Sequence, residues 1–178
     1  ANRGIGLEIA RQYAAKNWNV IATSRRPADD PGLPELRAIA AKHPQVAIER
    51  IDVVDTKMIR GVAEKYRNQP IDVLINNAAA VEMSFQADMA KANLTYDKID
   101  FDAALYDFNV TTLGPMRMAQ AFMPHVERSK HKKIVNISSL AGSFQRGLPG
   151  GIAMNYGSSK AALNKYSVLL SEQVKPKG

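Results

Sequence analysis

The sequence predicts an α/β fold, a doubly wound parallel sheet with helices on both faces in three αβα layers. Two observations carry this. Short runs of β-branched and aliphatic residues alternate along the chain with segments of helical period, the pattern of parallel βαβ crossovers. In addition Ser24-Arg25, Asp52, Asn77 and Ser139 all fall at the carboxyl ends of predicted strands, the edge where sheets of this kind bind ligands.

Taken in order, apolar residues at Leu7, Ile9, Ala10, Tyr13 and Ala14 give a helix over Leu7–Lys16 that opens on Gly4 and Gly6. Val20–Ser24 is a short strand, and Asp29–Pro34 a loop. A helix over Glu35–Lys42, a strand over Gln45–Val53 and a helix over Lys57–Tyr66 follow. Ile71–Ile75 is the next strand, closed by Asn76-Asn77-Ala78. Val81–Ala104 has mixed, short amphipathic pieces. Phe108–Met123 has helical register despite Pro115, which is best tolerated in a first turn, so this helix starts late or bends there. Ile134–Ile137 is a strand followed by Ser138-Ser139. Gly142–Gly151 is a glycine-rich loop containing Pro149. Leu163, Tyr166, Leu170 and Val174 form the apolar stripe of a last helix over Tyr156–Val174.

The 178 residues make one domain, 1–178, with 46% hydrophobic residues for its core. With no cysteine, disulfides, thiolate metal sites and a cysteine nucleophile are excluded, and a cytoplasmic location is the default expectation. No apolar run approaches the ~20 residues a membrane helix needs, so no membrane partner is expected. Net charge is +7. The densest basic run, Arg128–Lys133, has no interleaved aromatic residue and reads as a solvated loop rather than a nucleic-acid patch.

Gly4-Ile5-Gly6 before a helix lets backbone amides approach a diphosphate, although a tight turn would look the same. Arg3 precedes that turn and Arg25 follows the next strand. An NAD site would place a carboxylate there; this chain has Ser24 and then Arg25. Arginine forks bind phosphate, so the pair favours a 2′-phosphate and hence NADP, against the alternative of two solvated arginines. Asp52 suits an adenine amino group or a helix cap, and Asn77-Ala78 a cofactor contact or a turn. Ser138 and Ser139 read equally as turn residues. Tyr156 and Lys160 share one helix face, where an ammonium favours phenolate over a phenol that otherwise ionises near pH 10. Alone, such a pair is common.

Together, Asn2–Gly6, Asp52-Val53, Ile71–Ala78, Asn109 within Phe108–Val110, Ile134–Gly142 and Tyr156–Leu163 run in the order of the short-chain dehydrogenase/reductase family, which the chain resembles along its whole length. Ser138–Gly142 and Ser159–Asn164 resemble the C-factor and sniffer-type carbonyl reductases. The resemblance implies a Rossmann-like fold and an NADP(H)-dependent oxidoreductase interconverting a small-molecule carbonyl and an alcohol. Tyr156 would be the general acid/base. Lys160 would lower the tyrosine pKa and hold the nicotinamide ribose, Ser139 rather than Ser138 would bind the substrate oxygen, and Asn109 would hold a relay water. Without the family, Asn109 reads as a polar residue satisfied by backbone. The implied cofactor set is Arg3, Gly4, Ile5, Gly6, Ser24, Arg25, Asp52, Val53, Asn77, Ala78, Tyr156 and Lys160, with no metal. A homodimer or homotetramer is implied, since the helices from Asn109 and Tyr156 often pair across subunits. A second class, a dinucleotide sensor that does not turn over, fits less well because it needs only the cofactor residues.

Three departures stand out. Ala79 replaces the family glycine of Asn-Asn-Ala-Gly, and Ser139 and Tyr156 are 17 positions apart, an enlarged loop. The chain also begins inside the glycine motif, without the first strand, and stops after the helix bearing Tyr156, without the later strands and substrate loop. The expectation is a longer physical molecule or an inactive fragment, because a sheet lacking its central strand leaves ladder groups unpaired.

Overall fold

The computed structural model describes residues 1–26, 33–80, 96–146 and 153–177. Most of the loop expected over Asp29–Pro34, much of Val81–Ala104 and the part of Gly142–Gly151 that includes Pro149 lie outside the described residues. The chain divides into two compact units, Ala1–Arg67 and Asn68–Gly178.

The first unit runs α1 (Gly4–Ala15), β1 (Val20–Ser24), α2 (Pro34–Lys42), β2 (Val46–Arg50) and α3 (Thr56–Lys65). β1 and β2 are parallel, with Val20 opposite Val46 and Ser24 opposite Arg50. Ala10 and Ala14, one turn apart on α1, pack with Ala22, Leu36 and Val46 in the core. Their small side chains bring the helix backbone close to the strands. Pro34 begins α2, where its missing N–H costs nothing, and the Asp55 carboxylate accepts from Met58 N–H at 2.9 Å to cap α3.

The second unit contains β3 (Val73–Asn76), α4 (Phe101–Phe108), a π-helical segment (Asn109–Leu113), α5 (Gly114–Glu127), β4 (Lys133–Asn136) and α6 (Met154–Val174). β3 and β4 are parallel, with Leu74 opposite Ile134 and Asn76 opposite Asn136. Met118, Ala119, Phe122 and Val126 form the buried stripe of α5, which packs on both strands. Asn76 and Asn136 are tied across the ladder, the Asn76 amide donating to Asn136 Oδ1 at 2.9 Å. Asn136 in turn donates to Ser167 Oγ on α6 at 2.8 Å.

Two sequence expectations change. The single helix over Phe108–Met123 is instead α4, the π segment and α5, with Pro115 in the first turn of α5 as its missing N–H requires. The strand over Gln45–Val53 stops at Arg50, because Asp52 folds back to accept from Val54 N–H at 3.2 Å, a local turn that competes with the ladder. The cap of the following helix falls to Asp55. The basic run Arg128–Lys133 forms the turn between α5 and β4, where Ser129 Oγ accepts from Lys132 N–H at 3.0 Å and the Asp72 carboxylate from His131 N–H at 3.2 Å.

Candidate active site

In the first unit, α1 starts at Gly4 with φ +53°, and its first turn has neither an acidic residue nor a side-chain cap. A Cβ added at Gly4 would meet nothing within 4 Å. Leading amides and a positive helix pole that the chain does not neutralise are the donor set a diphosphate needs. Arg3 and Ile5 are exposed on either side of Gly4, and Gly6 is buried. Ser24 is buried and its hydroxyl accepts from Arg26 N–H at 3.1 Å, so it shapes the turn that leaves Arg25 exposed at the strand end. Arg25 is further fixed through its carbonyl, which accepts from Arg50 Nε at 3.3 Å. Asp52 and Val53 occupy the turn after β2, partly exposed. These residues suit a dinucleotide carrying a 2′-phosphate, and Ser24, which only accepts from Arg26 N–H, keeps its hydroxyl proton to donate.

In the second unit, Asn77 and Ala78 follow β3, and Ala80 just beyond them donates its N–H to Thr111 Oγ1 at 3.2 Å. This pins the segment after β3 to the π segment. Asn109 opens that segment, and Gly114 N–H reaches back to Asn109 O in the wide π turn. Arg117 holds the same residue, its Nη2 donating to Asn109 Oδ1 at 2.8 Å and its Nη1 to Asn109 O at 3.3 Å. Guanidinium only donates, so the amide oxygen must face Arg117, leaving Asn109 its Nδ2 donor.

Tyr156 and Lys160 lie in the first turns of α6. Lys160 is 2% exposed; its Nζ donates to Ile137 O, just past β4, at 2.5 Å and lies 5.7 Å from the centre of the Tyr156 ring. Burial lowers the Lys160 pKa below its usual value by withdrawing water from the ammonium. Ser139 caps a 3-10 turn, Leu140–Gly142, its Oγ accepting from Ala141 N–H at 3.2 Å. That contact uses a lone pair and leaves the hydroxyl proton to donate.

Close packing joins these parts. A Cβ on Gly142 would lie 2.8 Å from Lys160 C and Cβ, and one on Gly157 2.9 Å from Ala141 O. Only glycine at both places lets the Ser139 turn lie against α6. Thr112 Oγ1 donates to Ser159 O at 2.8 Å inside the core, locking the π segment to the same helix. The second unit thus packs the turn capped by Ser139 against the helix that carries Tyr156 and Lys160, and ties the segment of Asn109 to that helix.

A family model described as short chain dehydrogenase matches residues 1–178. The chain belongs to the short-chain dehydrogenase family. As a member, it has the Rossmann-like doubly wound α/β fold class that its strand and helix order predicted. The NADPH-bound carbonyl reductase from chicken fatty liver is similar in structure, with TM-score 0.86 and 31% identity over 100% of this chain and 73% of that one. The Sniffer carbonyl reductase of D. melanogaster shares the fold at TM-score 0.80 and 24% identity, covering 99% of this chain and 73% of that chain. Among curated sequences, (+)-neomenthol dehydrogenase of Arabidopsis thaliana is 29% identical over 159 residues, 82% of this chain and 53% of that protein. The chain therefore spans about half the length of that dehydrogenase.

Sequence reasoning assigned no role to Thr112, Arg117, Gly142, Gly157 or Asn164. The glycine in the first turn of α6 was the readable signal, since glycine costs a helix about 1 kcal/mol relative to alanine and marks a close approach. Arg117 and Asn164 had no such mark, because their partners are eight and more than twenty residues away.

Proposed function

We propose that the protein is an NADP(H)-dependent carbonyl reductase that interconverts a small-molecule carbonyl and its alcohol. The observation that carries this is Lys160. Burying an ammonium is costly, and here it is done beside a phenol ring, on the helix against which a serine turn is closely packed. When bound, NADP(H) supplies or receives the hydride at the carbonyl carbon. Gly4, Ile5 and Gly6 would hold the diphosphate on α1, Arg3 and Arg25 the 2′-phosphate beside Ser24, and Asp52 and Val53 the adenine, while Asn77 and Ala78 would lie along the cofactor.

Ser139 donates a hydrogen bond to the substrate oxygen and fixes its position. Tyr156 donates a proton to that oxygen in reduction and removes it in oxidation. Lys160 provides the positive charge beside the ring and a donor for the nicotinamide ribose. Asn109 holds a water that connects Lys160 to solvent as a proton relay, and with both its oxygens already accepting from Arg117 it keeps its Nδ2 group as the donor. A cytoplasmic homodimer or homotetramer of one-domain subunits completes the reading. No helix among the described residues is long and apolar enough to cross a membrane.

The test is NADPH oxidation by the full-length protein with a panel of ketones and aldehydes, alongside a coenzyme titration. Binding with turnover of at least one carbonyl is expected. Tight NADPH binding with no turnover across the panel would favour a dinucleotide sensor instead.

A further inference from the structure

We propose that Asn164 is a positioning residue that sets the aim of the Ser139 hydroxyl, an inference that rests on the carbonyl-reductase reading. Asn164 lies one turn after Lys160 on α6, and its amide grips the serine turn on both sides of Ser139. Ser138 Oγ donates to Asn164 Oδ1 at 2.5 Å, and Asn164 Nδ2 donates to Gly142 O at 3.2 Å. Gly142 O can only accept, so the amide nitrogen faces it, the oxygen faces Ser138, and the serine hydroxyl is the donor. Between these two anchors stand Ser139 and the Leu140–Gly142 turn that it caps.

Neither anchor alone would fix the turn. Gly142 sets how closely the turn approaches α6, since a Cβ there would meet Lys160 at 2.8 Å. Close approach still permits sliding along the helix. The Asn164 amide removes that freedom by binding one residue before Ser139 and three after it. The helix that carries Tyr156 and Lys160 thereby carries Ser139 in fixed register as well, and a misplacement of about 1 Å in such a group costs on the order of 10²-fold in rate. Ser138, the serine that would not touch substrate, has its hydroxyl committed to this strap.

The experiment compares wild type, Asn164→Ala and Asn164→Asp, each with and without Ser139→Ala, in the full-length protein. Asn164→Asp keeps the acceptor for Ser138 and loses the donor to Gly142. We expect kcat to fall at least tenfold in Asn164→Ala and less in Asn164→Asp, with the NADPH dissociation constant unchanged. Ser139→Ala should cost far less in the Asn164→Ala background than in wild type, because the serine is already misaimed. Amide hydrogen exchange at Ala141 and Gly142, measured without substrate or coenzyme, should quicken in Asn164→Ala. Should that variant not fold, Ser138→Ala removes one side of the strap alone and should show the same signs in smaller measure. An equal Ser139→Ala factor in both backgrounds, or unchanged exchange, overturns the role of Asn164 while leaving the reductase reading intact. A wild type that binds NADPH and reduces no carbonyl overturns that reading and this role with it.

Discussion

Lys160 is a cation that the fold holds at a cost. Desolvation lowers its pKa, so between the folded value and the usual lysine value near 10.5 the unfolded chain binds more protons than the folded one. Stability from this group therefore rises with pH through that window, and its penalty is largest below it. Urea unfolding of wild type and Lys160→Met at several pH values should show the relative advantage of the methionine variant shrinking as pH approaches 10.5. A pH-independent difference would contradict the burial account. The proposed site rests coenzyme choice on Arg25: Arg25→Asp should shift preference from NADPH towards NADH, and equal NADPH affinity before and after would remove it from that site. At this scale the sequence was informative through combination, since a Tyr-x-x-x-Lys pair is common alone and points to chemistry only together with the double serine and Asn109. For Ser24 it offered a cofactor contact but not the turn in which the hydroxyl accepts from Arg26 N–H, because turn and ligand chemistry draw on the same side chains.

Elements in this chain are positioned by a few contacts of high consequence. Gly142→Ala places a methyl group 2.8 Å from the backbone of α6, where no flexible side-chain end can yield. Overpacking of this kind costs about 1 to 3 kcal/mol, and the loss should appear in chemical denaturation together with a reduced kcat. Thr112→Val keeps the shape and removes the buried hydrogen bond to Ser159 O. About 1 kcal/mol of destabilisation is expected for the lost bond, since Ser159 O lies within the α6 ladder, and a midpoint unchanged from wild type would show that this bond does not hold the π segment to α6. Most elements were legible from periodicity, β1 to the residue. The π segment was not. Its sequence, Asn-Val-Thr-Thr-Leu, fits helical register, and the extra residue in its turn arises from tertiary contacts: Arg117 on Asn109, Thr111 on Ala80 and Thr112 on α6. Pro115 gave the only sign that the helix would not run straight through.

For the molecule as a whole, family membership follows from the match over residues 1–178. Among the described residues the strands pair only as β1 with β2 and β3 with β4, so both outer edges of each ladder have no strand partner among those residues. What can be asked directly is whether the Tyr156 phenol moves the proton. In the full-length protein, Tyr156→Phe should abolish carbonyl-dependent NADPH oxidation while NADPH still binds with its wild-type dissociation constant; turnover at the wild-type rate would contradict the assignment.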